Sequence, residues 1–332
     1  MPFDQHPMLP PQKESMWAKI AQARGPEPSN QHMDLCAHFL PDLPEEIGML
    51  SNLRHLDLSV NHLQKLPENL GNLSDLKFLD LCFNQLEALP NTFKQLTGLH
   101  TLKLSGNSFQ ALPEVVREMT QLNCLRFQKN QIRQLPDWLG KLENLTELDG
   151  SFNQFRNWPE TVRHLHKIRS LLAIENRFRT IPDWTGEMPE LQWLALDRNK
   201  IQKVSPGLLK NQSIRYLTLA HNQIASLPEG IAHLKQLEQL ALQYNALETL
   251  PESLSSMTEL KRLDLRNNRF RKFPRVLLDF PNMKIDLELK GKAPRVNDQV
   301  VFLDANPMED VPLEVLEMGM NAVREHISAS GF

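Results

Sequence analysis

The sequence has little cysteine, little net charge and no long apolar run, and each shortage removes a class of protein. Cys36, Cys82 and Cys124 are the only three cysteines in 332 residues. Being odd in number and far apart, they do not form a disulfide framework, so a reducing, cytoplasmic compartment is expected. No stretch reaches the ~18 consecutive apolar residues that a membrane span needs. Residues 1–17, MPFDQHPMLPPQKESMW, lack the charged head and apolar core of a secretory signal. A formal net charge of −3 with 23% charged residues gives no general attraction to nucleic acid or anionic lipid.

Catalytic patterns are equally sparse. No GxxxxGK(S/T) phosphate loop occurs, and no Ser/His/Asp or paired-carboxylate set stands apart from the periodic pattern described below. His164 and His166 flank a leucine but have no third ligand at a metal-binding spacing. The chain is therefore expected not to be an enzyme, with no catalytic residues, no cofactor and no metal.

What the chain has is a ladder of asparagines. Asn61, Asn84, Asn107, Asn130, Asn153, Asn176, Asn199, Asn222, Asn245 and Asn268 follow one another every 23 residues, each closing the pattern LxxLxLxxN. In Leu53-Arg-His-Leu56-Asp-Leu58-Ser-Val-Asn61 the leucines alternate with polar residues, which predicts a strand with one buried face. After each strand the chain must turn, and its backbone groups there lose their ladder partners. An inward asparagine amide can satisfy both N–H and C=O, so the asparagines are expected to be structural.

A second ladder lies six residues on, at Pro67, Pro90, Pro113, Pro136, Pro159, Pro182, Pro228, Pro251 and Pro274, with Pro44 ahead of them. Proline fixes φ where a short helical return can begin, and the acidic residues that often follow suit its N-terminus. The predicted fold is an α/β solenoid of 23-residue repeats, a horseshoe with a parallel β-sheet on the concave face and short helical or irregular returns on the convex face.

Taken in order, residues 1–14 are read as a disordered tail and 15–32 as a helical cap. Repeats are expected over 33–278, the first with His38 at the asparagine position. Gly150 and Ala173 stand where Leu58, Leu81 and Leu104 stand elsewhere, and Trp158 is expected to fill the space rather than leave a ligand pocket. Ser205 breaks the proline ladder. Over 279–312 the spacing grows from Asn268 to Asn306; Met283–Leu289 and Val300–Leu303 read as a hairpin-like insertion joined by a turn at Lys290–Pro294. Residues 313–332 are expected to form a capping helix with Leu313, Leu316, Val323 and Ile327 facing inward.

Repeats reading LxxLxxLDLSxNxLxxLPxxLGxL, as from Leu53, resemble the intracellular Ras-suppressor group of leucine-rich repeat proteins over roughly residues 33–328. The ending from Asn306, NPMEDVPLEVLEMGMNAV, is similar to the segment closing the repeat domain of Roco proteins. The resemblance implies a protein-interaction scaffold or adaptor whose partner is another protein; charge and hydropathy argue against nucleic-acid and membrane partners, and the sequence leaves the oligomeric state open, with a monomer expected. Its alternatives are a regulator of a small Ras-like GTPase, or the substrate-recognition part of a bacterial effector or ubiquitin-ligase system.

Partner choice should then rest on the strand residues between the buried leucines, six, four, two and one before each asparagine. The candidate partner-binding residues are Phe83, Arg126, Glu147, Asp149, Phe152, Leu172, Ile174, Trp193, Asp197, Arg198, Tyr216, His221, Gln239, Gln243 and Tyr244. Trp193, Tyr216 and Tyr244 fall in consecutive repeats, and aromatics among charges have the composition of a binding hot spot. The basic cluster of Lys261, Arg262, Arg266, Arg269, Arg271, Lys272 and Arg275 is expected to be a solvated flank compensated by Asp264 and Glu259.

Overall fold

A computed structural model describes residues 31–280, 283–286 and 299–330. The expected N-terminal tail and nearly all of the N-terminal cap lie outside the described residues, as does the turn at Lys290–Pro294. The chain forms two compact units, one of residues up to Phe155 with Pro159–Ile168, the other of Arg156–Trp158 with Arg169 onward.

In the first unit, strands β1 (His32–Asp34), β2 (His55–Asp57), β3 (Phe78–Asp80), β4 (Thr101–Lys103), β5 (Cys124–Arg126) and β6 (Glu147–Asp149) pair in parallel, each with the next. The register advances by one repeat per strand, as His55↔Phe78 and Leu56↔Leu79 show. The central leucine of each strand, from Leu56 to Leu148, is fully buried. In the second unit β7 (Ser170–Leu172), β8 (Trp193–Ala195), β9 (Tyr216–Thr218), β10 (Gln239–Ala241) and β11 (Arg262–Asp264) continue the same rule.

The asparagines do what their position demands. Asn84 accepts from Leu63 N at 3.1 Å through Oδ1, while its Nδ2 donates to Leu58 O at 2.9 Å and Leu81 O at 3.2 Å. Asn222 repeats this in the second unit with Ile201 N and the carbonyls of Leu196 and Leu219, all at 3.0 Å. At the degenerate first repeat His38 Nδ1 lies 2.7 Å from Cys36 O, so the imidazole supplies one of the missing bonds.

Each proline is followed at once by a 3-10 segment, for example Glu68–Asn72 after Pro67, and the proline carbonyl accepts its first bond, from Leu70 N at 3.2 Å. The acidic residue opening the segment also reaches the next repeat: Glu68 Oε2 accepts from Thr92 N at 3.3 Å. Where Ser205 replaces proline the segment shortens to Leu208–Lys210, and Ser205 donates to Asp183 Oδ1 while accepting from Leu208 N.

The space at Gly150 is occupied, and two expectations are corrected. The space at Gly150 is taken by two phenylalanines of its own unit: a Cβ there would lie 2.6 Å from the Phe127 ring and 2.8 Å from Phe155. Trp158 is buried with its ring 5.7 Å from that of Phe178. The glycine at this position makes room for the two rings, so volume is balanced locally. Gly150→Ala should therefore cost about 1–3 kcal/mol by overpacking. A denaturant midpoint equal to wild type would show that the ring space is slack.

The insertion is not a hairpin. Strand β12 (Met283–Asp286) pairs in parallel with β13 (Gln299–Phe302), and it is β13 that lies beside β11, with Leu263 opposite Val301. Alternating residues specify a strand but not the direction of its partner, and the segment between the two is long enough for a parallel crossover. Last, the C-terminal helix is broken in two, α1 (Leu313–Glu317) and α2 (Met320–Ala329), by Gly319 at φ 93°. Leu316 and Val323 are buried as expected, but Leu313 is exposed, because it opens α1 directly after Pro312.

Candidate functional site

The residue before each ladder asparagine has a left-handed backbone. Val60, Phe83, Lys129, Phe152, Glu175, Arg198, His221 and Tyr244 all have φ between 52° and 57°, and Gly106 has 68°. This conformation reverses the chain so that the asparagine turns inward and its predecessor outward. Large side chains held this way cannot fold back onto the sheet; Phe83 is 52% and Tyr244 49% exposed.

In the first unit this column carries Phe83, Gly106, Lys129 and Phe152. The Phe83 ring occupies the space a Cβ on Gly106 would fill, and Lys129 Nζ stands 5.7 Å from the Phe83 ring and 5.8 Å from that of Phe152. Arg126 donates to Glu147 across adjacent strands at 2.5 Å, a bond that raises the guanidinium pKa. Asp149, in contrast, is buried, accepting from Ser151 N at 3.0 Å and Gln128 Nε2 at 2.5 Å. It belongs to a structural column: Asp57 accepts from Ser59 N and Asp80 from Cys82 N in the same way. Burial pushes the Asp149 carboxyl upward, against those bonds. Asp149 thus holds its own turn.

The second unit places the remaining candidates. Leu172 is buried, so it contributes floor rather than contact, and Ile174 is half-buried. Trp193, 44% exposed, meets Tyr216 edge-to-face at 6.4 Å, and Gln239 extends that row. At the other end of the strands Arg198 lies 3.8 Å from Glu175, and His221 stacks on Tyr244 at 4.1 Å with the rings 10° apart. Burial and then Arg198 depress the His221 pKa. Between the rows the sheet carries small residues, Ala195 and Ala220 buried, Thr218 and Ala241 half-buried. Asp197 and Gln243 rise from this floor, also half-buried.

The result is a trough over β8–β10 with aromatic and charged walls. The alanines that make it were not legible as site residues, because alanine offers no chemistry; only the columns show that large side chains stop there. The basic cluster is compensated partly by an expected partner and partly by others. Arg266 pairs with Asp264 at 2.5 Å as anticipated, but Lys261 goes to Glu238 at 2.8 Å, and Arg262 and Arg266 lie over the Phe302 ring at 4.7 and 5.3 Å. Cys82 and Cys124 are unreactive by environment, with burial raising them to about 12 and about 11.

An array of parallel strands, inward asparagines and 3-10 returns defines a leucine-rich repeat solenoid in each unit. Family models agree: leucine-rich repeat region matches residues 68–187, and leucine-rich repeat models match 52–73, 189–247 and 212–270. The chain is a leucine-rich repeat protein, of a fold family that serves generally as a non-enzymatic scaffold for protein interaction. No curated protein matches it.

Among solved structures it is similar to a leucine-rich repeat protein of Leptospira interrogans, with 27% identity and a TM-score of 0.75, covering 87% of this chain and 74% of that one. It also resembles a Listeria monocytogenes internalin, at 18% identity and TM-score 0.59, over 84% of this chain and 97% of that one. A plant peptide hormone receptor, RGFR1 in complex with RGF2, has 22% identity and a TM-score of 0.62; the match covers 83% of this chain but only 48% of the receptor. The last two likenesses are of fold. Among the described residues no helix is long and apolar enough to cross a membrane.

Proposed function

We propose that the chain is a non-catalytic adaptor that binds a partner protein on the strand face, centred on β8–β10 of the second unit. The observation that carries this reading is the pairing of rings on consecutive strands, exposed Trp193 with half-buried Tyr216 and half-buried His221 with exposed Tyr244, around a floor of small residues. Rigid aromatics present large apolar area at low entropic cost, and rings that already pack on one another lose little freedom on binding. A floor without bulky side chains gives a partner's chain room to approach.

The test is affinity capture from lysate with wild type and a Trp193→Ala/Tyr216→Ala variant, followed by measured affinity for the purified partner. Loss of about 2 kcal/mol or more in binding, with an unchanged melting temperature, is expected of a hot-spot pair. Equal affinity for both proteins would remove the site from this face. Adding GDP in one arm and a non-hydrolysable GTP analogue in another identifies a Ras-like GTPase, which the resemblance of the repeats raises, by a nucleotide-dependent yield.

A further inference from the structure

Within the trough, Asp197 is set apart by what faces it. Its Oδ1 accepts from Ala220 N at 2.7 Å and its Oδ2 from the Thr218 hydroxyl. The Ala220 bond does for β9 what the column of aspartates does elsewhere, since Thr218 occupies the aspartate position of that repeat. The residue is only half-buried. Around it stand Ile174, Ala195, Thr218 and Ala220, none of them cationic.

Several other carboxylates of the strand faces are paired with a cation; Asp57, which accepts from Ser59 N and Oγ, is not among the described residues, but it lies outside β8–β10. Asp80 has Lys103 at 3.0 Å, Asp264 has Arg266 at 2.5 Å, and Glu238 has both Arg215 at 3.0 Å and Lys261 at 2.8 Å. Asp149 is buried beneath Gln128 and cannot be reached. Among the described residues no cation lies within ion-pair distance of Asp197; the adjacent Arg198 is turned to Glu175 at 3.8 Å. Burial raises the Asp197 pKa, and His221, the nearest titratable nitrogen to influence it, is itself held toward the neutral form by burial and Arg198. A carboxylate partly removed from water, without a counter-charge and beside missing side chains, is stabilised by a cation brought in from outside.

Resting on the reading of β8–β10 as the binding face, we infer that the partner inserts a lysine or arginine from an extended segment over Ala195 and Ala220, with its charged head on Asp197. The Trp193–Tyr216 and His221–Tyr244 pairs then flank the segment and take its apolar neighbours. Their faces also favour a cation as it passes.

The probe is a phage-displayed library of random twelve-residue peptides panned against the full chain, with enriched peptides synthesised for affinity measurement. Enriched sequences should share one basic position, and binding should fall at least tenfold both for Asp197→Asn and when the peptide's basic residue is changed to methionine. The two losses should not add when combined, because each removes the same contact. Asparagine retains the acceptor for Ala220 N, so the fold is preserved; should that variant nevertheless unfold, the peptide substitution alone decides. Peptides that need Trp193 and Tyr216 but bind Asp197→Asn as tightly as wild type would overturn the inference while keeping the face. Peptides indifferent to all these changes, or no enrichment, would overturn both.

Discussion

Asn107→Ala should destabilise the protein by about 3–5 kcal/mol, more than most single substitutions, although it removes only a few atoms from one turn. The amide accepts from Leu86 N at 3.0 Å and donates to Leu81 O at 2.8 Å and Leu104 O at 3.0 Å. Alanine leaves the Leu86 N–H buried without its acceptor, at roughly 1–3 kcal/mol if water cannot reach it, and removes one of two bonds from each of Leu81 O and Leu104 O, which keep Asn84 Nδ2 and Asn130 Nδ2, at about 0.5–1.5 kcal/mol apiece. Asn107→Asp should be no better, because a carboxylate facing two carbonyls repels them. Urea unfolding followed by far-ultraviolet circular dichroism measures the loss, and a shift below about 1 kcal/mol would mean that water enters the turn freely.

Leu217→Ala comes next in size and separates the two faces of β9. Leu217 is fully buried, and its truncation should cost about 2–5 kcal/mol in transfer and cavity terms. Trp193→Ala, one strand away but on the solvent side, should cost less than about 1 kcal/mol despite losing a larger side chain. In an array where each repeat touches only its neighbours, the buried loss should spread to adjacent repeats, seen as reduced amide protection from Leu194 to Leu240. If Trp193→Ala unfolded the chain as readily as Leu217→Ala, the assignment of the faces would be reversed.

Much of the repeat was legible because its parts have fixed duties at a fixed spacing. Asn84 must meet both kinds of backbone group, and Pro67 must begin a return, so both residues recur where the geometry recurs. The left-handed column was not legible. Only Gly106 and Asn267 betray it in the sequence, since Phe83 and Tyr244 adopt the conformation under tertiary constraint rather than by preference. Asp149 looked like a contact residue because its neighbours in sequence alternate outward, yet its side chain curls back to Ser151 N. Strand β12 was recognised by alternation, but its parallel partner lies outside what alternation can encode. Of the candidate residues, Trp193, Tyr216, His221 and Tyr244 were legible and pack in two pairs, whereas the alanine floor between them went unread.

The strand spacing of β8–β10 also sets a metre for whatever crosses it. Equivalent positions on neighbouring strands lie ~4.7–4.9 Å apart, so those on β8 and β10 are about 9.5 Å apart. A polyproline II segment rises ~3.1 Å per residue and returns to the same side after three, or about 9.3 Å. Three residues of ligand thus keep step with two repeats of protein, and Trp193 and Gln239, or Asp197 and Gln243, meet successive beats of the same phase. A fully extended β segment, turning over every second residue at ~6.6 Å, drifts out of phase at once. A ligand that repeats in threes would therefore present the same side to β8 and to β10.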